Sequence, residues 1–269
     1  MSVTSGWIES MWTYPVKGLS PQWLDRVTLR AGRGFPNDRK WALARRDGAY
    51  REEIVRPLRK TEFHVLVRDA QLAGVRTFLD DDDRLTLWVQ EHVVLDGVDL
   101  CDPAGREAVS VFFGRLLDLP RSSFPVIARQ KGRRFTDIAP SSDEKMNAIS
   151  LINLASVRDL AERAGVEAIN PLRFRANLYI DGLPPHSELD MIGHTICIGD
   201  ARLEVIARTG RCAATTVNPI DAQRDLPIPR LLVEHYGHAN MGCYAVVRHG
   251  GAVQSRQPLR IHDVTDVPA

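Results

Sequence analysis

Apolar residues in this chain come in short alternating or continuous runs, and turn-forming residues bound each run. Runs of this length are typical of β-strands, because a strand needs only a few residues that face a core. The pattern predicts strands at residues 24–29, 41–44, 62–67, 85–89, 125–128, 177–180, 195–198, 203–206, 244–247 and 259–261. The chain is therefore predicted to be rich in β-structure.

Helical spacing of apolar residues is clear in only two places. The first is a stripe over residues 109–117 that ends shortly before a proline. The second covers residues 154–164, where Asn153 is suited to cap the first turn and Gly165 to end the helix. A shorter helix is predicted at residues 230–236. The sequence thus predicts a mainly β fold with a few helices, of the α+β class.

Proline and polar residues after the first predicted helix indicate a break near residues 119–123. We therefore predict two β-rich units, residues 1–120 and residues 121–269. The acidic run at residues 80–83 is interpreted as a solvated hairpin loop. The long polar segment at residues 131–147 is interpreted as a loop beside a binding cleft.

The charge balance excludes one large class of function. The chain has 35 Lys and Arg against 34 Asp and Glu, whereas a dedicated nucleic-acid-binding domain carries a basic excess.

No stretch approaches 18 consecutive apolar residues, so no membrane-spanning helix is predicted. The first residues lack the basic start and apolar core of a secretory signal, and the four cysteines contain no CxxC pair. We therefore expect a cytoplasmic protein with free thiols.

One cysteine lies in a segment that suggests chemistry. Cys212 follows Arg211 within RTGRCAATTVNP, after a predicted strand and a glycine turn. A fixed positive charge beside a thiol favours the thiolate, which is both a nucleophile and a soft metal ligand. Spacing alone leaves open that Cys212 is an inert buried residue.

Three basic residues lie at turns after short strands, namely Lys17, Arg39 and Arg175. Each can bind a phosphate or another oxyanion, arginine through its planar fork and lysine as a point charge. Each can equally be a solvated surface residue, and the sequence does not show that they converge. A zinc site at His235 and His238 is disfavoured, since the glycine between them interrupts the helix and no second pair of ligands has the usual spacing.

Several segments together resemble the MOSC protein family, named for the molybdenum cofactor sulfurase C-terminal domain. YPVKG and NDRKWALA resemble its N-terminal β-barrel unit, and ISLINLASVRDL, NPLRFRANLYIDG, RTGRCAATTVNP and HANMGCYAVV resemble the MOSC domain itself. The resemblance implies a β-barrel MOSC domain with a smaller N-terminal β-rich domain, from which residues 1–42 could contribute to a cofactor cleft. The functional relatives it suggests are the bacterial and mitochondrial amidoxime-reducing proteins.

The resemblance also implies a molybdenum-cofactor site. Cys212 is the implied thiolate ligand of molybdenum and the implied catalytic residue. The implied contacts to Mo-molybdopterin are Lys17, Arg39, Asn147, Arg175, Asn177, Gly210, Arg211 and Cys212. Gly18 and Gly210 depart from the pattern of the animal relatives, which carry serine at both positions, so two hydroxyl donors are absent here.

The implied activity is the two-electron reduction of N-hydroxylated compounds, such as amidoximes, hydroxamic acids and hydroxylamines. The sequence contains no ferredoxin-like cysteine cluster, so the electrons are expected from a separate reductase or a ferredoxin-like protein. Neither nucleic acid nor a membrane is an expected partner. Two alternatives remain open: sulfur transfer through a persulfide on Cys212, and a module that binds the cofactor without turnover.

Overall fold

The computed structural model describes residues 5–138 and 142–262. Its strands are β1 (Ser5–Thr13), β2 (Val16–Lys17), β3 (Gln22–Leu24), β4 (Arg26–Leu29), β5 (Trp41–Ala44), β6 (Val75–Leu79), β7 (Arg84–Val89), β8 (His92–Asp99), β9 (Val126–Arg129), β10 (Ile149–Asn153), β11 (Leu178–Asp181), β12 (Thr195–Ile198), β13 (Ala201–Gly210), β14 (Asn240–His249), β15 (Gly251–Gln254) and β16 (Pro258–His262). Its α-helices are α1 (Pro103–Leu116), α2 (Asp143–Met146), α3 (Leu154–Arg163) and α4 (Ile228–Tyr236). Within the described ranges, no helix is both long and apolar enough to cross a bilayer. The predicted mainly β fold with a few helices is confirmed.

Seven strands form a closed barrel. They lie in the order β11-β10-β14-β13-β12-β16-β1, and β1 pairs back onto β11 to close the sheet. Neighbouring strands are antiparallel except β10 and β11, which are parallel. Along most of these strands alternate residues face the interior, as Ala201, Leu203 and Val205 of β13 do, and the inward residues form one continuous apolar core.

The N-terminal part of the chain adds smaller sheets beside the barrel. β6, β7 and β8 form an antiparallel meander, and α1 packs against it with Val109 and Phe113 buried. β2, β5 and β9 form a second sheet, and β15 pairs with β4. Strand pairing thus crosses the predicted domain boundary in both directions. β1, from the first predicted unit, belongs to the barrel, and β9, from the second predicted unit, pairs with β5 of the first. The division at residue 120 stays a prediction.

The predicted ends of α3 are confirmed by its caps. The Asn153 side chain accepts a hydrogen bond from Ala155 N at 3.1 Å, and Gly165 adopts a φ of +67°, as a glycine after a helix commonly does. The helices predicted at 109–117 and 230–236 are also present. Both begin earlier than predicted, with a proline in the first turn, where its missing N–H removes no helical hydrogen bond.

The strand predicted at residues 62–67 is wrong. The segment follows a short 3₁₀ turn, Lys60–Glu62, and of its residues only Phe63 forms a β-bridge, with Ala44. The Asp69 side chain accepts a hydrogen bond from Val65 N at 3.2 Å. This bond satisfies a backbone donor that a strand would have paired with a neighbour, so the chain turns instead.

The acidic run at residues 80–83 joins β6 to β7 as a hairpin loop, but the expectation that it is solvated is wrong for one residue. Asp83 is 6% exposed and accepts hydrogen bonds from Lys40 Nζ at 2.8 Å, Trp41 Nε1 at 3.0 Å and Arg129 Nη1 at 3.1 Å. Burial acts to raise the pKa of Asp83, but these hydrogen bonds and charges outweigh it and hold the pKa below its ordinary value. Asp83 therefore ties the loop to β5 and β9.

Candidate functional site

A cavity of about 430 Å³ lies where the ends of β10 and β13 approach β2. Seven of the eight predicted site residues line it, namely Lys17, Arg39, Arg175, Asn177, Gly210, Arg211 and Cys212. Among the described residues, its charged lining consists of seven cations, Lys17, Arg39, Lys60, Arg173, Arg175, Arg208 and Arg211, and two carboxylates, Asp38 and Asp137. The cavity is therefore strongly positive, although the chain as a whole is nearly neutral.

Cys212 is positioned by the end of a barrel strand. β13 ends at Gly210, and Cys212 precedes the 3₁₀ turn Ala213–Thr216. The Cys212 carbonyl accepts hydrogen bonds from Thr215 N at 3.0 Å and from Thr215 Oγ1 at 2.9 Å. The side chain is partly buried and carries a free thiol at the cavity wall. The turn thus fixes the backbone of Cys212 and leaves its sulfur accessible from the cavity.

Arg211 is held by backbone carbonyls rather than by a carboxylate. Its Nε donates to Met241 O at 2.7 Å and its Nη1 to Phe174 O at 2.8 Å. Its Nη2 is buried and has no hydrogen-bond partner within residues 5–138 and 142–262. Burial lowers the pKa of Arg211, because the charged form loses hydration without gaining an adjacent counter-charge. A guanidinium in this condition is suited to interact with an anion.

Arg39 and Arg175 place two cations against one aromatic ring. Their guanidinium carbons lie 4.7 Å and 4.4 Å from the centroid of the Tyr14 ring, which is fully buried. The Nη1 of Arg39 donates to both carboxylate oxygens of Asp38, at 2.7 and 2.6 Å, and its Nη2 donates to the Arg175 carbonyl at 3.0 Å. The position of Arg39 is thus fixed from three directions.

Of these two arginines, Arg175 is the one whose charge is not balanced by an adjacent carboxylate. Its Nη1 donates to Leu19 O at 2.7 Å, and it forms no ion pair with any residue in the described ranges. Burial and the charge of Arg39 together lower the pKa of Arg175 to about 10. A bound anion would stabilise this charge directly.

Lys17 is buried, with 6% of its surface exposed, and the loop after β9 reaches it. Its Nζ donates to Phe135 O at 2.8 Å and forms an ion pair with Asp137. Burial lowers the pKa of Lys17, although Asp137 acts in the opposite direction. The predicted cleft loop at residues 131–147 does contribute Thr136 and Asp137 to the cavity wall. Its residues 139–141 lie outside the described ranges.

Asn177 organises the site and has little hydrogen-bonding capacity left for a ligand. Its Oδ1 accepts hydrogen bonds from Ser150 N at 3.2 Å and Ser150 Oγ at 3.0 Å. Its Nδ2 donates to Trp12 O at 3.2 Å and to Asp38 Oδ1 at 2.9 Å. Asn177 therefore connects two barrel strands to the carboxylate that holds Arg39.

The structure places the predicted contacts Asn147 and Gly210 differently with respect to the cavity. Asn147 does not line the cavity, because its Oδ1 accepts from Gly34 N at 3.2 Å and its Nδ2 donates to Asp143 O at 3.1 Å, so both polar groups are used elsewhere. Gly210 does line the cavity, and a Cβ added there would approach only Asn240 Oδ1, at 3.7 Å. Glycine is thus not required by space at position 210.

Several polar lining residues were not predicted from the sequence. Asp38 stands directly before Arg39 in NDRKW, and a carboxylate adjacent to a site arginine is the one signal that could have identified it. Thr209 has a buried Oγ1 that finds no hydrogen-bond partner in the part of the chain that the structure describes, and burial raises the pKa of Tyr244. The register of β13 and β14 brings Thr209 and Tyr244 to the cavity, and register is not visible in local sequence.

Comparison with known proteins identifies two domains. The MOSC N-terminal beta barrel domain matches residues 5–111, and the MOSC domain matches residues 138–260. Two relatives, both named molybdenum cofactor sulfurase, are 23% identical over 232 residues in Caenorhabditis briggsae and 25% identical over 233 residues in Caenorhabditis elegans. Each alignment covers 84% of this chain but only 31% and 30% of those proteins. The chain thus spans about a third of the length of the curated relatives it matches.

Solved structures show a weaker likeness. The YuaD protein of Bacillus subtilis is 13% identical with a TM-score of 0.45, over 97% of this chain and 98% of that one. YiiM of Geobacillus stearothermophilus is 22% identical with a TM-score of 0.34, over 43% of this chain and 54% of that one. At these scores the likeness does not bear on function. With its two domain matches in sequence order along most of its length, the protein belongs to the MOSC domain family.

Proposed function

We propose that this protein binds the molybdenum cofactor in the cationic cavity, with Cys212 as the thiolate ligand of molybdenum, and that it reduces N-hydroxylated compounds by two electrons. The observation that carries the proposal is a free thiol on the wall of a cavity that seven cationic side chains line. Thiolate sulfur suits a soft metal ion, and arginine and lysine suit the phosphate of a pterin cofactor.

The residues present fit such a group. In the described part of the chain, no cluster of three or more His, Cys, Asp or Glu side chains could hold a metal ion by itself. A metal at Cys212 therefore needs ligands that a cofactor brings with it. The cavity volume of about 430 Å³ lies within the usual range of small-molecule and cofactor sites. The unpartnered hydroxyl of Thr209 and the unpartnered Nη2 of Arg211 are the polar groups that a ligand could satisfy directly or through water.

Bound molybdenum would supply the two-electron chemistry that breaks the N–O bond. The balanced reaction takes up two electrons and two protons and releases the reduced nitrogen compound and water. Lys17 Nζ is a candidate proton donor, since burial lowers its pKa and makes proton release easier. Arg39 and Arg175 would bind and orient an anionic group, and Asp38 keeps Arg39 in place. A separate redox protein would supply the electrons.

Molybdenum content tests the ligand assignment. Protein made in a molybdenum-replete host is expected to contain the metal, and the Cys212→Ser variant is expected to lose most of it while keeping its fold. Cys101→Ser is the matched control, because it removes an exposed thiol that does not line the cavity. Metal is measured by inductively coupled plasma mass spectrometry, and the fold by circular dichroism.

Activity provides the second arm of the test. Amidoxime reduction driven by dithionite-reduced methyl viologen is expected to follow the metal content, present in the parent and in Cys101→Ser and absent in Cys212→Ser. A Cys212→Ser protein that holds as much molybdenum and reduces amidoximes as fast as the parent would refute the role of the thiolate.

Sulfur transfer is a second candidate, favoured by the names of the two Caenorhabditis relatives. The Cys212 thiolate would attack the outer sulfur of a donor protein's persulfide, take that sulfur as its own persulfide, and release the donor thiolate. Peptide mass spectrometry of the isolated protein separates the two proposals. A reducible additional sulfur on Cys212 without stoichiometric molybdenum supports transfer, and molybdenum without that sulfur supports the reductase. A module that binds without turnover would hold molybdenum and leave amidoximes unreduced.

A further inference from the structure

A second cavity, of about 620 Å³, lies beside the loop that carries Asp38 and Arg39. Among the described residues, its charged lining consists of four arginines, Arg26, Arg30, Arg33 and Arg134, and one carboxylate, Asp81. The whole chain has nearly equal numbers of acidic and basic residues. The excess of positive charge is therefore local. We call this cavity the arginine groove.

Two of the four arginines have no side-chain partner among the residues that the structure describes. Arg30 and Arg33 are exposed, and neither side chain forms a hydrogen bond or an ion pair with any residue in the described ranges. One turn holds them close together, because Arg33 N donates to Arg30 O at 3.0 Å and Gly32 adopts a φ of +66°. Two like charges fixed at the ends of one turn attract an anionic partner and repel a cationic one.

Arg134 forms the inner part of the groove. Its Nη1 donates to the carbonyl oxygens of Phe35 and, at 3.1 Å, of Asp38, and its Nη2 donates to Gly34 O at 3.3 Å. A Cβ at Gly34 would lie 3.1 Å from Arg134 Nε, so the absence of a side chain there lets the guanidinium lie against the loop. The carbonyls bind the guanidinium without neutralising its charge, which therefore adds to the positive potential of the groove.

One layer of chain separates the arginine groove from the cofactor cavity. Pro36 and Asn37 line the groove, and the next two residues, Asp38 and Arg39, line the cavity. Arg134 connects the two by its hydrogen bond to the Asp38 carbonyl. A molecule seated in the groove would therefore lie against the same loop that contacts the cofactor.

We propose that the arginine groove docks the acidic surface of a one-electron redox protein of the ferredoxin type, which supplies electrons to the cofactor cavity. The inference rests on the proposed function, because a two-electron reduction needs an external donor. Charges exposed at the rim fit a protein surface, and they accelerate encounter with an acidic partner. Electron-transfer complexes bury little surface, so such a partner does not need a large apolar interface.

The electron balance is as follows. Two reduced donor proteins each lose one electron, and each leaves the groove oxidised. The N–O bond of the substrate breaks, two protons are taken up, and the products are the reduced nitrogen compound and water. Successive docking of two donors requires a complex that dissociates readily, which agrees with exposed charge pairs rather than a large apolar interface.

Binding tests the groove without any need for turnover. The probe is a reduced plant-type [2Fe–2S] ferredoxin, an acidic protein, titrated against the full chain at low ionic strength. The double variant Arg30→Ser/Arg33→Ser is expected to weaken binding about tenfold. The control Arg115→Ser/Arg121→Ser removes the same charge from exposed positions that line neither cavity, and binding is expected to remain at the parent level. Salt at about 0.5 M should abolish the difference by screening.

Turnover separates failure of the docking proposal from failure of the proposed function. Amidoxime reduction with methyl viologen is expected to be equal in the parent and in both double variants, whereas ferredoxin-driven reduction should fall about tenfold only in Arg30→Ser/Arg33→Ser. Unchanged ferredoxin binding in that variant overturns the docking proposal whatever the activity. Binding of a dT20 oligonucleotide by a protein that does not bind ferredoxin also overturns the docking proposal. No reduction with any donor overturns the proposed function, and the binding result then still decides whether the groove docks the probe.

Discussion

Replacing Asp38 with alanine should destabilise the protein and loosen Arg39 at the same time. Asp38 is 4% exposed and is the carboxylate at the centre of the site. Its oxygens accept hydrogen bonds from Tyr14 N at 2.9 Å, Asn177 Nδ2 at 2.9 Å and Arg39 Nη1 at 2.7 and 2.6 Å. The substitution removes the acceptor of the Tyr14 amide. It also removes one of the two acceptors of Asn177 Nδ2 and the carboxylate that pairs with Arg39, which keep only the carbonyls of Trp12 and Arg175.

The magnitude follows from the largest of these losses. Breaking a buried ion pair by removing one partner lowers the free energy of unfolding by about 3–5 kcal/mol, because the remaining charge is left uncompensated. The orphaned amides would each contribute about 1–3 kcal/mol if they stayed dry, but water entering the space left by the carboxylate recovers part of that loss. We therefore expect Asp38→Ala to lower the free energy of unfolding by about 4 kcal/mol. Asp38→Asn keeps one side-chain oxygen that can accept from two of the donors, so it should lower the free energy of unfolding by roughly half as much as Asp38→Ala does.

Urea unfolding followed by circular dichroism measures the change, with Asp47→Ala as the control. Asp47 is exposed and forms no hydrogen bond through its side chain with any described residue, so its loss should change the free energy by less than about 0.5 kcal/mol. If Asp38→Ala unfolds within about 1 kcal/mol of the parent with the same denaturant slope, the carboxylate does not hold the site together, and the explanation of Arg39 fails.

Three further outcomes are expected. Gly242→Ala should lower the free energy of unfolding by about 2 kcal/mol or more, because Gly242 has a φ of +77° and an added Cβ would lie 2.4 Å from Leu151 O. The control Gly210→Ser should change the free energy of unfolding by less than about 1 kcal/mol, and urea unfolding midpoints compare the two variants. Inorganic pyrophosphate at tenfold its Kd should raise the melting temperature of the parent by about 3 °C and that of Arg175→Gln by less, and equal shifts would contradict the anion site. The lowered pKa of Asp83 gives stability that is present above the ordinary carboxyl value of 3.8 and is lost as pH falls through the folded-state pKa. The free energies of unfolding of the parent and Asp83→Asn, measured by urea unfolding at a series of pH values, should therefore converge below about pH 4. A difference between the two proteins that stays constant with pH would refute this.

The fold class could be predicted because apolar and polar residues alternate along most strands. The strands that the sequence did not show lack this alternation. β1 is the clearest case. Gly6 and Ile8 are buried, but a register shift between Ile8 and Ser10 moves the next buried position to Met11. A bulge of this kind changes which face each following residue occupies. The sequence therefore shows no continuous period over Ser5–Thr13, although this strand closes the barrel.

The residues of the cationic cavity could be identified one by one from the sequence, but their assembly could not. Lys17, Arg39 and Arg175 were identified individually, and with 35 basic residues in the chain their convergence required either the family resemblance or the structure. Asn147 does not line the cavity, because its side chain hydrogen-bonds Gly34 N and Asp143 O, and the sequence does not show where those polar groups turn. Asp38 escaped prediction because a carboxylate beside an arginine is most often a surface pair.

The backbone at the two central arginines is held in an unfavourable conformation. Arg39 and Arg175 both have left-handed backbones, with φ of +48° and +53°, a conformation that is unfavourable by about 1–3 kcal/mol for a residue with a side chain. Arg175 also lies beside a like charge and has lost much of its hydration, as its lowered pKa reflects. Glycine at position 175 would remove all three unfavourable terms. Glycine would also lose the hydrogen bond to Leu19 O and the contact with the Tyr14 ring, so these two contacts oppose the unfavourable terms. An anion bound as we propose would relieve the repulsion and the unpaired charge but not the strain, and it would therefore favour arginine at this position further.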